Sequence, residues 1–259
     1  MLDIDLSGRT AMVVGGSRGI GAGIVEHLAR AGAFTVFTHT GNPAHAARVA
    51  ALQAAVAGTP GGGARGEAVD ARDGAAMRGI ADRVAAERGG IDVLVCNAGM
   101  NAARPVETQT DAQWREAVAV NLDSAYYAVR ACLPHMLARG HGRIILIGSS
   151  AVFDGGGGAI DYAAAKAGMT GMKSYLCRNY ARKGILTNIV HPCVIETDLL
   201  AQRYADEEAR RKLIAQIPVG RMGTPADVAG IVAFLASRWG DYICGQEIMV
   251  DGGRTIYGK

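Results

Sequence analysis

Short, almost wholly apolar runs alternate with longer amphipathic stretches along this chain. The runs at 11–14, 35–37, 68–70, 91–96, 144–147, 185–190 and 247–250 read as strands. Several are continuously apolar rather than alternating, as in parallel strands covered on both faces. Ile20, Ile24 and Leu28 recur every four residues and give a first helix one buried face. Further helices are predicted over 111–138, 160–181, 198–216 and 225–237. Strand and helix in alternation imply an α/β chain, a parallel sheet with helices on both faces. No linker or repeat divides residues 1–259, so a single domain is expected. Thr59-Pro60-Gly61-Gly62-Gly63 reads as a connector between a helix and a strand. The glycines at 155–158 read equally as a spacer or as a mobile rim of a site.

Composition narrows the function classes. With 49% apolar residues in 259, the chain can bury a sizeable core. Its net charge of +3 is mild and dispersed, which gives no nucleic-acid footprint. No apolar run reaches the ~18 residues of a membrane span. Residues 1–5 lack the basic-then-apolar pattern of a signal peptide. The five cysteines are scattered, with no Cys-x-x-Cys or His-x-x-x-His spacing for a metal. A cytoplasmic protein with reduced thiols is expected.

The first strand runs into Gly15-Gly16-Ser17-Arg18-Gly19-Ile20-Gly21, and a helix follows. Glycine lets a turn tighten and lets backbone approach a pyrophosphate, while the helix N-terminus supplies N–H donors and a positive dipole end. After a first strand and before an amphipathic helix, this is a dinucleotide-binding signal. No Gly-Lys-Ser/Thr suggests a nucleotide triphosphatase loop. NAD-selective sites usually carry an acidic residue at the end of the second strand. Here that strand ends Thr38-His39-Thr40, with no carboxylate before Glu67. Arg18 and the two hydroxyls suit a 2′-phosphate instead, so NADP(H) is the expected cofactor. Asp70 is a candidate for the adenine edge, with Ala71 beside it.

Tyr162 and Lys166 stand four residues apart in an alanine-rich run, on one face of a predicted helix. A cation beside a phenol favours the phenolate, and a tyrosine titrating near ~10 needs that help to move protons at neutral pH. Ser149 and Ser150 end the apolar run before them and supply a polarising donor. Such a set suits proton transfer to a carbonyl.

The glycine turn and the Ser/Tyr/Lys set together make the chain resemble the short-chain dehydrogenase/reductase family over nearly its whole length. Its pattern is most similar to the 3-oxoacyl-carrier-protein reductases. Cys96-Asn97-Ala98-Gly99 resembles the family's Asn-Asn-Ala-Gly, Asn121 its catalytic asparagine, and Pro192-Cys193-Val194-Ile195-Glu196-Thr197 its Pro-Gly loop. The runs 220–225 and 250–253 resemble its C-terminal signature. The resemblance implies one doubly wound Rossmann domain on a seven-stranded parallel sheet. It implies Tyr162 as proton donor, and Lys166 as ribose ligand and tuner of Tyr162. It also implies Asn121 as holder of a water linking Lys166 to solvent. The family's spacing of serine thirteen residues before tyrosine selects Ser149, with Ser150 as fallback. Asn97, Ala98 and Gly99 would line the ribose side, and Ile195 and Thr197 would hold the carboxamide beyond Pro192. A homotetramer built on the long helices and the C-terminal strand region is implied too.

Departures bear on the substrate. Val14 and Cys96 replace a usual threonine and asparagine, and Cys193 replaces the glycine after Pro192. His191, beside Pro192, reads as structural. Carrier-protein reductases dock acyl carrier protein on two arginines. Arg178 stands at one such position and Pro134 at the other. Arg203, Arg210, Arg211 and Lys212 are candidates to replace the missing charge. The expected lid, 198–216, offers Leu199, Leu200, Leu213 and Ile214 as an apolar wall. A 3-oxoacyl thioester is therefore the first substrate class. A small ketone, sugar or other secondary alcohol is the second, and a non-catalytic NADP(H)-sensing or scaffold protein is the third reading.

Overall fold

The computed structural model describes residues 3–197, 200 and 206–257. Its strands are β1 (Thr10–Val14), β2 (Phe34–His39), β3 (Gly63–Ala68), β4 (Val93–Cys96), β5 (Gly142–Ile147), β6 (Ile185–Pro192) and β7 (Glu247–Val250). They form one seven-stranded sheet, ordered β3-β2-β1-β4-β5-β6-β7, and every neighbouring pair is parallel. The helices are α1 (Gly19–Arg30), α2 (Ala46–Val56), α3 (Gly74–Arg88), α4 (Asp111–Val118), α5 (Ser124–Arg139) and the short α6 (Ala151–Asp154). After them come α7 (Ile160–Tyr180), α8 (Glu207–Ala215), α9 (Pro225–Ala236) and α10 (Arg254–Tyr257).

Continuous apolar strands arise because each strand feeds two cores. Met12, Val14, Leu94 and Ile144 pack on one side with Met77, Cys132 and Met169 from α3, α5 and α7. Ala11, Val13, Val93 and Ile145 pack on the other with Ile24 and Leu28 of α1 and Val232 of α9. Successive strand residues face opposite sides, so no polar alternation survives.

Two elements differ from the sequence expectation. β3 ends at Ala68, where the apolar run at 68–70 was expected to begin it. It is an edge strand without an apolar run of its own, registered on β2 from Phe34↔Gly63 to His39↔Ala68. Its Glu67 is held instead by Arg65 and by Arg83 of α3. The helix expected over 111–138 is broken by a wide, π-type turn at Ala119–Asp123. There Asn121 Nδ2 donates to Ala117 O (2.9 Å), and Ser124 Oγ donates to Val120 O (2.6 Å). Side chains thus take backbone acceptors that a regular helix uses differently. Within the expected lid, α8 is described, whereas Leu199 and Arg203 lie outside the described residues. Among the described residues no helix is long and apolar enough to cross a membrane.

The sheet order reverses direction between β1 and β4. From β1 the chain proceeds to β2 on one side, and from β4 to β5 on the other. A crevice therefore opens beyond the carboxyl ends of these two strands, where ligands bind in such sheets.

Candidate active site

The glycine turn fills one side of that crevice. Gly15 N–H donates to Thr38 Oγ1 and Gly16 N–H to Thr38 O, each at 3.0 Å. Asn97 Nδ2 donates to Gly15 O at 2.7 Å, tying the turn to the end of β4, where Ala98 and Gly99 follow. A Cβ on Gly21 would lie 2.1 Å from Gly15 O, so only glycine permits this approach. α1 has no acidic residue in its first turn, and Arg18 makes no side-chain cap bond at its start. Its N–H groups and positive dipole end, beside Ser17, Gly19 and Ile20, therefore fit a pyrophosphate.

The end of β2 partly departs from expectation. Thr38 is buried and its hydroxyl holds the glycine turn, whereas Arg18 and Thr40 are exposed and His39 is half-buried. Glu67, registered opposite Thr38, is neutralised by Arg65 (3.0 Å) and Arg83 (2.8 Å). Asp70 lies past the end of β3 beside Ala71, chelated by Arg72, whose hydrogen bonds hold its carboxyl below the usual range. No free carboxylate thus opposes a 2′-phosphate at residues 38–42.

The serine, tyrosine and lysine set lies at the ends of β4 to β6. α7 buries Lys166, Met169, Lys173 and Leu176 along one face. Lys166 Nζ donates to Ile147 O at 2.8 Å and sits 5.9 Å from the centre of the Tyr162 ring. Burial pulls the Lys166 pKa down to about 8. Burial pushes Tyr162 up, and a hydrogen bond with the Ser149 hydroxyl offsets part of the rise. Lys166 Nζ is bonded to the Ile147 carbonyl while it lies over the Tyr162 ring. Ser149, rather than Ser150, meets the phenol, and its Oγ accepts from Ala151 N–H at 3.2 Å. Ser150 is buried, and its N–H donates to Pro192 O.

Asn121 is fully buried in the wide turn and clasps Met100 through both its N–H and C=O. A Cβ on Gly99 would come 2.9 Å from Asn121 Oδ1 and 3.5 Å from Lys166 Nζ, so Gly99 leaves those two groups facing across a bare backbone. Over Tyr162, Gly157 of the 155–158 run approaches the ring and accepts from Asn101 Nδ2 at 3.2 Å. The segment after β6 closes the crevice. Val194 has φ 52°, an uncommon conformation for a β-branched residue. Ile195 pairs with Gly223 through the flanking residues Val194 and Glu196, a ladder that does not use Ile195's own N–H and C=O. A Cβ on Gly19 would lie 3.2 Å from Thr197 Cγ2, which puts Thr197 against the glycine turn.

Sequence reasoning missed a buried charged chain behind Ser149. His191 is fully buried, with Nδ1 3.1 Å from Ser149 N and 3.0 Å from Ser149 O. Its Nε2 is 3.1 Å from Glu247 Oε2, and Lys173 Nζ lies 2.8 Å from Glu247 Oε1. Glu247 favours the tautomer with a proton on Nε2, which leaves Nδ1 to accept from Ser149 N–H. Burial pulls the His191 pKa down, against a smaller opposing effect of Glu247. Burial alone would raise Glu247, yet Lys173 and His191 together hold it below its ordinary value. The signal lay in three separated positions with no shared motif.

Arg210 pairs with Glu196 and Lys212 with Glu208, while Arg178 stands exposed. The lid's apolar residues pack on one another, Leu213 with Ile217 and Met222, and with Val194, Leu200 and Ile214 against them. Among the described residues no cluster of three His, Cys, Asp or Glu side chains is placed to hold a metal.

The His191 shift carries a pH consequence. The unfolded chain protonates this residue below about pH 6.5, whereas the folded chain resists it, so stability falls as pH drops through that range. Melting temperatures at pH 7.5 and 5.5 should fall further apart in the wild type than in His191→Gln; equal drops would contradict the burial effect.

Residues 14–255 match a family model described as enoyl-(acyl carrier protein) reductase. The 3-oxoacyl-[acyl-carrier-protein] reductase FabG of Escherichia coli (strain K12) is 37% identical over 96% of this chain and 98% of its own. Among solved structures, one from Beutenbergia cavernae is provisionally named an NAD(P)-dependent gluconate 5-dehydrogenase, with NADP bound at low occupancy. It is 37% identical, covers 98% of this chain and 99% of its own, and superposes with a TM-score of 0.89. A short-chain dehydrogenase/reductase of Serratia marcescens is 34% identical over 96% of this chain and 99% of its own, with a TM-score of 0.87. With its glycine turn and Ser149/Tyr162 contact at the switch point of a seven-stranded parallel sheet, the chain belongs to the short-chain dehydrogenase/reductase family.

Proposed function

We propose that this chain moves hydride between NADP(H) and a ketone or secondary alcohol, within a single domain whose residues 198–216 act as lid. The observation that carries the reading is the convergence of Ser149, Tyr162, Lys166 and Asn121 at the crevice that holds the glycine turn. When bound, the nicotinamide supplies the hydride. The Ser149 hydroxyl, which accepts from Ala151 N–H, would turn its one proton from Tyr162 to the substrate carbonyl oxygen. The Tyr162 hydroxyl gives its proton to the alkoxide as charge develops. Lys166, leaving Ile147 O, would hold the nicotinamide ribose and draw Tyr162 toward its ionised form. Asn121 would hold a water joining Lys166 to solvent. Ile195 and Thr197 would hold the carboxamide, with Asn97, Ala98 and Gly99 along the ribose.

NADP rather than NAD is supported by Arg18 in the glycine turn and by Thr40 just past β2, whose end lacks a free carboxylate. The names of the reductase relatives support a 3-oxoacyl thioester as the ketone. A second reading, a small polar ketone, sugar or secondary alcohol, is favoured by the self-packed lid and the internally paired Arg210 and Lys212. The retained Tyr162 and Lys166 count against a non-catalytic NADP(H) sensor. A cytoplasmic homotetramer fits Tyr126 and Tyr175, which the long helices leave 48% and 62% exposed.

Three measurements check this reading. With NADPH and a panel running from acetoacetyl thioester to simple sugars, Tyr162→Phe should lose roughly 10²–10⁴ in kcat. Full turnover in that variant would remove the proposed acid. In titrations NADPH should bind more tightly than NADH, with Arg18→Ala cutting the preference about tenfold or more, as expected for a charged hydrogen bond; tighter NADH binding would overturn the cofactor assignment. Light scattering should give four copies, and a monomer would contradict the assembly.

A further inference from the structure

Three segments bordering the reaction centre converge on one cation. Arg254 opens α10 after the turn that follows β7. Its Nη2 donates to Gln216 Oε1 at 3.0 Å, and its Nη1 lies 3.5 Å from Cys193 Sγ. Asp154 Oδ2 is 3.7 Å from Nη1, beyond direct hydrogen-bond distance, and Asp154 Oδ1 already accepts from Gly156 N–H at 2.7 Å. The Arg254 Nε is buried without a partner, and the side chain is only 26% exposed. A guanidinium has five N–H donors. These contacts give it one amide oxygen, one weak thiol acceptor and, in Asp154, an ion-pair partner that makes no hydrogen bond to it. A largely buried guanidinium with its Nε unpartnered and its only carboxylate beyond hydrogen-bond distance is under-satisfied, and an oxyanion is its best partner.

The surroundings place this cation beside the chemistry. Cys193 follows the Pro192 that ends β6, and the Pro192 carbonyl accepts from the N–H of Ser150, the residue after Ser149. Asp154 ends α6, the short helix that starts two residues after Ser149. Gln216 directly follows α8. Leu200, Leu213 and Ile214, the described apolar residues of the lid, pack in one cluster with Val194, Ile217 and Met222.

We propose that Arg254 is a specificity-determining residue that takes an anionic group of the substrate, so that the natural ketone or alcohol is a small acid or phosphate ester. The proposal rests on the hydride-transfer reading and selects the second of its two substrate classes. Asp154 competes for the same guanidinium. Removing the Asp154 charge therefore strengthens anion binding, whereas removing the Arg254 charge abolishes it. A purely structural clamp between α10 and α6 makes the opposite demand: losing either partner is then equivalent.

The test uses the full-length wild type, Arg254→Gln and Asp154→Asn with NADPH. Matched substrates are levulinate against methyl levulinate, and fructose 6-phosphate against fructose. The wild type should favour an anionic member by about tenfold or more in kcat/KM, the strength of one charge-assisted hydrogen bond. Arg254→Gln should bring that ratio near one, chiefly through KM, and Asp154→Asn should raise it. A larger ratio on the carboxylate pair or on the phosphate pair identifies which anion is natural. An unchanged ratio in Arg254→Gln overturns the proposal, as do equal shifts in the same direction for both variants, or a wild-type preference for acetoacetyl thioester over every anionic ketone. Turnover of methyl levulinate by the wild type reports hydride transfer separately, so a failed ratio leaves that reading standing. If no ketone is turned over, calorimetry of levulinate and its methyl ester against the protein–NADP complex reads the same discrimination. Equal heats and affinities there overturn it.

Discussion

Where β1 and β4 lie side by side, the chain leaves them in opposite directions, and the backbone ends face a crevice that neither crossover covers. Everything chemical in this molecule is arranged around that divergence. The glycine turn follows β1, Asn97 to Gly99 follow β4, and the bond from Asn97 Nδ2 to Gly15 O ties the two lips together. β5 brings Ser149 and the Ile147 carbonyl to the same edge, and β6 brings His191 and Cys193. A parallel sheet places all these strand ends on one side, so residues scattered over the sequence meet without any long loop.

The sheet was legible because its strands are buried on both faces, and burial on both faces writes itself as unbroken apolar runs. β3 was misplaced for the complementary reason. An edge strand half covered by charged side chains has no such run to read. Tyr162, Lys166 and Ser149 were legible through spacing on a helix and at a strand end. The chain from Lys173 through Glu247 to His191 was not, because its members come from α7, β7 and β6 and become neighbours only when the sheet forms. Thr38 was read as a cofactor contact from its place at a strand end. The fold instead turns it inward to hold the glycine turn.

Burial also decides how the central pair behaves. It pushes both Tyr162 and Lys166 toward their neutral forms, the phenol upward and the ammonium down to about 8. The simple picture of a cation beside a phenol assumes the two face each other. Here the ammonium prefers a carbonyl oxygen at 2.8 Å, a strong bond in a dry setting. A direct bond from the ammonium to the phenol would require it to leave that carbonyl, and it is the Ser149 hydroxyl that offsets part of the rise in the phenol's pKa.

The wide turn at Ala119–Asp123 has a consequence for how this chain can change. A π-type turn accommodates an extra residue within a helix that otherwise continues, so the halves before and after it are out of phase. Deleting one residue there would give a more regular helix from 111 to 139. It would also rotate the upstream half by about 100° relative to the downstream half. Asn121 would then leave Met100, and the apolar stripes of α4 and α5 would no longer match the partners they face. Regularity and function pull in opposite directions at this one site. A redesign that smoothed this helix for stability would be expected to remove the polar corner on which Gly99 and Lys166 meet.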